Sequence, residues 1–200
     1  MIIGTTTRAQ GERRRHTAAA ITSCAQKLVI ARGLDGFTLD ELAEQAGVSR
    51  RTLFNYFPGK LDAVVGQKPE LGAEDMAEFV AGGPTGDLIE DVIAMTRRLV
   101  DTGDLTATEL GRARQALAAE PRLSMYAHER LGQDCAHLVD LLVQRHGPEF
   151  GRDRAELLVQ VLACTLDVAL SRFIVLDEDA APSWADVLGD TIREVRGLFH

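Results

Sequence analysis

Apolar residues recur along this chain at steps of three and four and show no convincing period-two run, so the pattern predicts helices throughout. Ile21, Cys24, Ala25, Leu28 and Val29 mark the inner face of a first helix over about 12–32. Gly33 and Gly36 bracket its end, and Phe37 fills the core beyond. Residues 1–11 are polar, carry Gly4 and Gly11, and read as disordered. Thr38 with Glu41 three positions on is a capping-box signature. It opens a second helix whose Leu39, Leu42, Ala43 and Ala46 share one face. Gly47 can take positive φ at that helix's end, Val48 plugs the angle that follows, and Ser49 is a natural N-cap for a third helix. The third helix offers only Leu53 and Phe57 to a core, among Arg50, Arg51, Thr52, Asn55 and Tyr56. So little to bury implies that its outer side meets something else.

A fourth helix opens near Gly59 or Lys60 and carries Leu61, Ala63, Val64 and Val65. The stretch 67–86 is rich in Gly and Pro and weakly periodic, so it reads as a broken helix and linker. Helices are then expected near 86–102, 106–119, 122–146, 152–176 and 183–199, punctuated by Pro121, Gly147-Pro148 and Ala181-Pro182. The expected architecture is all-α with about nine helices: an N-terminal three-helix domain within 1–65 and a helical body over 66–200. The last two helices are apolar on more than one side. Leu158, Leu162, Leu166 and Phe173 on one, with Trp184, Leu188, Ile192 and Val195 on the other, predict a four-helix bundle formed with a second copy.

Composition narrows the class. With 46% hydrophobic residues in 200, a sizeable core is available. The most apolar stretch, 157–176, is interrupted by Gln160, Asp167 and Arg172 and reads as a buried helix instead of a membrane span. The arginine-rich start, with Arg8, Arg13, Arg14 and Arg15, lacks the apolar stretch of a secretory signal. Cys24, Cys135 and Cys164 are odd in number and widely spaced, which favours a reducing, cytoplasmic setting over a disulfide framework. The net charge of −8 is unevenly held. Residues 1–60 carry nine Lys/Arg against five Asp/Glu, a net +4, while 61–200 carry thirteen against twenty-five, a net −12. A positive end on an acidic body orients a molecule on a polyanion.

The run over residues 17–65 resembles the N-terminal DNA-binding domain of the tetracycline-repressor (TetR) family of bacterial one-component regulators. The features that carry the resemblance are the amphipathic first helix, the T-x-x-E-L-A-x-x-A-G-V-S block of residues 38–49, the third helix ending in Tyr56-Phe57, and Lys60 opening the fourth. The likeness covers about a quarter of the chain closely; the remainder agrees in length and helical character. It implies a helix-turn-helix in which Arg50, Arg51, Thr52, Asn55 and Tyr56, behind the Ser49 cap, face a major groove. Thr38 and Lys60 match the usual phosphate anchors, and Phe54 either matches an aromatic that often lies against the sugar-phosphate chain or only shields the helix pair. The chemistry agrees. Arginine suits guanine O6 and N7 or a phosphate, threonine a thymine methyl or a phosphate, and asparagine an adenine edge. Arg13, Arg14 and Arg15 can act as an arm along phosphates or into a minor groove.

One such helix reads too few base pairs to single out a site in a genome, so two readers in a homodimer and a palindromic operator are expected. The resemblance further implies a body that lodges a small, often apolar effector and shifts the spacing of the two readers, releasing a repressor from double-stranded DNA. Candidate lining residues are Arg97, Arg98, Tyr126, His128, Cys135, His137, Thr165 and Arg172. Aromatic content of 5% favours an aliphatic or acyl effector over a stacked one. The alternative is an effector-independent architectural DNA-binding or helical interaction protein.

An enzyme is not expected. His128-Glu129 begins like a zinc-protease motif, but the second histidine would fall at Gly132. His128 and Cys135 are too few for a structural zinc site. Residues 82–86, GGPTG, lack the lysine and strand of a phosphate loop. No metal or cofactor is expected.

Overall fold

The computed structural model describes residues 3–67, 71–100, 106–176 and 182–198. Among the described residues there are ten α-helices and no strand, as the apolar periodicity predicts. They are α1 (Ile3–Arg32), α2 (Leu39–Gln45), α3 (Arg50–Tyr56), α4 (Lys60–Val65), α5 (Ala73–Val80), α6 (Leu88–Val100), α7 (Ala107–Ala119), α8 (Pro121–His146), α9 (Arg152–Ile174) and α10 (Trp184–Gly197). The chain forms two compact units. One comprises Met1–Lys68 with Gly111–His128, the other Pro69–Leu110 with Glu129–His200.

The first unit is built on α1, whose buried Ile21, Ala25, Leu28 and Val29 meet Leu42 and Ala43 of α2, Leu53 of α3 and Ala63 and Val64 of α4. Phe37 and Phe57 close this core, and Ala116 and Leu123 join it from the 111–128 segment. Each of the Leu, Ile, Val and Phe side chains among them contributes about 1.5–3 kcal/mol on leaving water. Gln26 is buried among them and fully used: its Nε2 donates to the Val64 carbonyl at 3.1 Å, and its Oε1 accepts from Arg112 Nε at 3.3 Å. Tyr126 donates its hydroxyl to Asp62, and Arg122 Nη2 reaches Asp35 at 2.8 Å. The 111–128 segment is thus fastened by both apolar and polar contacts.

In the second unit, α6, α9 and α10 bury Ile93, Ala169, Phe173, Trp184, Leu188 and Ile192 together. Gly189 lets α10 lie close to α6, since a Cβ there would stand 3.1 Å from the Ile93 side chain. A neighbouring cluster joins Phe79 of α5 with Val92, Met95, Leu142, Ala155 and Val159. Between α5 and α6 the chain is pinned by a buried ion pair, Arg145 Nη2 to Asp91 Oδ2 at 2.6 Å, whose side chains are 3% and 0% exposed. Arg145 also donates to the carbonyls of Phe79, Gly82 and Gly83, and its guanidinium lies 4.7 Å from the centre of the Phe79 ring. Asp91 accepts from the amide and hydroxyl of Thr85.

Three expectations need correction. Residues 3–11, read as disordered, continue α1, because no proline or capping signal stops the helix there and one internal glycine costs only about 1 kcal/mol. The 67–86 stretch holds a regular two-turn helix, α5, stitched by Phe79 to the core. The 157–176 stretch is not buried all round. Ala155, Val159, Thr165, Ala169 and Phe173 face inward, while Leu157, Val161 and Val168 stand in solvent. Met1, Ile2 and Phe199 lie outside the described residues.

Candidate nucleic-acid interface

The turn between α2 and α3 is set by hydrogen bonds that the sequence encodes. Thr38 Oγ1 accepts from the Glu41 amide at 3.1 Å, and Glu41 Oε2 accepts from the Thr38 amide at 2.6 Å, completing the capping box. That amide, the hydroxyl, and more distantly Arg32 and Lys60 hold the Glu41 carboxyl below its ordinary value of 4.5. At the other end of α2, Gly47 takes φ 67°, with its amide bonded to the Glu44 carbonyl and that of Val48 to the Ala43 carbonyl. This paired closure ends the helix and turns the chain sharply. Ser49 then caps α3 by accepting from the Thr52 amide at 3.0 Å.

α3 is anchored by one side only. Leu53 and, just past its end, Phe57 are buried, while Arg50, Arg51, Phe54 and Asn55 are exposed and Thr52 and Tyr56 half-exposed. The outward groups differ in how they are held. Arg50 Nη1 donates to Asp40 Oδ2 at 3.0 Å, and its guanidinium carbon lies 5.6 Å from the centre of the Phe54 ring. Arg51 has no ion pair among the described residues. Thr52 shares a 2.7 Å hydrogen bond between hydroxyls with Ser49. The Tyr56 ring sits beneath Arg14, whose guanidinium carbon is 5.2 Å from its centre. Arg13, Arg14 and Arg15 are all exposed on α1, so the arginine cluster is carried on a helix and not on a loose arm. Thr38 is exposed, its hydroxyl shared with the amide and carboxylate of Glu41. Lys60 is tied inward, its Nζ donating to the Leu34 carbonyl at 2.9 Å above the face of Phe37.

A basic, polar face on a seven-residue helix, raised on a sharp glycine turn behind a capped neighbour, has the geometry of a helix-turn-helix reader. Residues 21–62 match the model for bacterial regulatory proteins of the tetR family. The match spans α2 and α3 with the C-terminal part of α1 and the start of α4, and so supports a DNA-binding regulator similar to that family. The chain is also similar to a protein of Bacillus subtilis (strain 168) described as "Uncharacterized HTH-type transcriptional regulator YdeS", with 25% identity over 118 residues. That match spans 58% of this chain and 60% of the relative, less than two thirds of its length.

The candidate effector residues fall in both units. Tyr126 and His128 belong to the first unit, where Tyr126 is bonded to Asp62. In the second unit Arg97 pairs with Asp186 at 2.7 Å, Arg98 with Asp75 and Glu78, and Arg172 with Glu194 at 2.5 Å. His137 is exposed, and burial pushes the half-buried Cys135 thiol upward. Thr165 is buried with its hydroxyl on the Val161 carbonyl at 2.7 Å. Among the described residues no cluster of metal-ligating side chains forms.

The expected dimer residues also divide. Phe173, Trp184, Leu188 and Ile192 lie within the subunit's own core, because α10 packs on α9 in the same chain. Leu158, Leu162, Leu166 and Val195 are half-buried. The outward stripe comprises Leu157, Val161 and Val168, apolar positions that the sequence shows on more than one face of this helix, with Cys164 and Val175, and Ser171 completes alternating steps of four and three. Leu157 is 68% exposed. Beside this stripe runs an open apolar groove of about 320 Å³, lined by Ile89, Leu157, Leu158, Val161, Leu162, Thr165, Ile192, Val195 and Arg196. The signal for it was the sustained seven-residue spacing.

Proposed function

We propose that this protein is a homodimeric DNA-binding transcriptional regulator, a repressor that presses α3 of each subunit into successive major grooves of a palindromic operator. The observation that carries this reading is the one-sided anchoring of α3. Leu53 and Phe57 fix the helix, and Arg50, Arg51, Thr52, Asn55 and Tyr56 face outward. A positive N-terminal part on an acidic remainder supports the same orientation. Thr38 and the Arg13–Arg15 cluster serve phosphates, while Lys60 fixes the α1–α2 connection and has at most its remaining protons for DNA.

The dimer is supported by α9. Twenty-three residues long, it is apolar enough by length and composition to cross a bilayer, yet it buries only its inner side within the subunit. Its outer stripe has the 3.5-residue period of a helix seam, and the adjoining groove gives a partner's ridge somewhere to lie. A second copy presents the same surface, as two-fold symmetry requires. In this reading the protein is a soluble cytoplasmic regulator. Relief of repression by a small aliphatic or acyl effector completes the proposal; it rests on the family likeness and the low aromatic content.

The test is stoichiometry on DNA. Sedimentation of the purified chain with duplexes carrying a selected inverted repeat is expected to give two chains per duplex, and added acyl species are expected to release them. One chain per duplex, or binding unchanged by every acyl species tried, contradicts the dimer and effector parts respectively.

A further inference from the structure

Arg50 is held in place before any ligand arrives. It is the first residue of α3, the end of a recognition helix from which side chains reach base edges. Its Nη1 donates to Asp40 Oδ2 at 3.0 Å, and its guanidinium carbon lies 5.6 Å from the centre of the Phe54 ring, itself 43% exposed. The two partners of the ion pair are 65% and 62% exposed, and a pair so open to solvent adds little to folding. Its consequence is orientation. An arginine already fixed by a carboxylate and a ring loses less freedom when it meets a rigid acceptor pair. Arg51, its neighbour, has no such restraint among the described residues.

We propose that Asp40 is a specificity-determining positioning residue: it aims Arg50 at a guanine edge and, by its own charge, penalises contacts to the phosphate chain. This rests on the reading of α3 as the DNA reader. Two effects follow from one carboxylate. With one Nη1 N–H held by Asp40, the other guanidinium N–H groups remain for guanine O6 and N7. A negative charge at the same surface opposes any sequence-independent approach of phosphate, which widens the gap between the right site and all others.

The experiment is selection of bound duplexes from a randomised pool by the full-length chain, its D40A, D40N, R50A and R51A variants and the D40A/R50A double variant, with affinity for a non-specific duplex measured alongside. The wild-type pool is expected to show one strong guanine in each half-site. R50A abolishes that preference. D40A and D40N weaken it about tenfold at that position alone and tighten non-specific binding. R51A leaves it intact, and D40A has no further effect on base preference in the R50A background. An unchanged D40A profile, an equal loss at every position, or a guanine that follows Arg51 overturns the assignment while leaving the DNA reader standing. Failure of the wild-type chain to bind duplex at all removes both.

Discussion

Arg50 and Arg51 are adjacent in sequence and differ in surroundings, and the difference makes a forecast for each. Arg51, without a partner among the described residues, is suited to a phosphate. Arg51→Ala is expected to weaken binding nearly uniformly across sequences and to lower the salt slope of log K by about 1, read from titrations at several salt concentrations. Thr38, beside its proposed phosphate contact, and Glu41 also act locally. Losing the cap in Thr38→Ala should cost about 0.5–2 kcal/mol of stability in urea unfolding. Because the Glu41 carboxyl lies lower in the folded chain than its ordinary 4.5, its contribution is present above that pH and is lost as acidification passes below it. The penalty of Thr38→Ala should therefore shrink when unfolding is repeated in acid. The capping box, Gly47 and Ser49 were readable from sequence because their partners lie within four residues. The Arg50–Asp40 pair was not, since it spans ten residues and depends on the angle between two helices.

Helices show where periodic patterns are informative and where they are ambiguous. An apolar face can be assigned to a helix from spacing alone, but the identity of what covers it cannot. Trp184, Leu188, Ile192 and Phe173 have the spacing of an interface and lie in the subunit's core, whereas Leu157, Val161 and Val168 on the same α9 are exposed. The two sets should respond oppositely. Phe173→Ala is expected to destabilise the chain by about 3–5 kcal/mol in denaturant unfolding. Val161→Glu should leave the subunit folded, with circular dichroism unchanged, and shift sedimentation from dimer to monomer. A Val161→Glu protein that stays dimeric would move the interface elsewhere. Scattered polar residues on amphipathic helices find ion-pair partners that spacing does not announce, as Arg97 and Arg172 do with Asp186 and Glu194.

Each unit carries its own polar fastening, and the two are different in kind. In the second unit the Arg145–Asp91 pair is nearly inaccessible, so each charge depends on the other. Burial pushes the Asp91 carboxyl up, but hydrogen bonds from Thr85 and Arg145 outweigh it and hold the group below its ordinary 3.8. Asp91→Ala leaves Arg145 buried and unpaired and should cost about 3–5 kcal/mol, visible as an earlier thermal transition. No sequence pattern announces such a pair, because its partners are 54 residues apart. The division of charge, by contrast, is legible in the sequence, and the proposed DNA binding takes its orientation from it. In the proposed dimer, the exposed stripe of α9 joins two readers of a few base pairs each.

The most direct measurement is recovery of duplexes from a fully randomised pool by the purified full-length chain at low and moderate salt. The account predicts an inverted repeat whose half-sites lie about one helical turn apart, roughly 10–10.5 base pairs, and affinity that falls steeply as salt rises. An unenriched pool, or a chain that ignores duplex DNA at low salt, would contradict it.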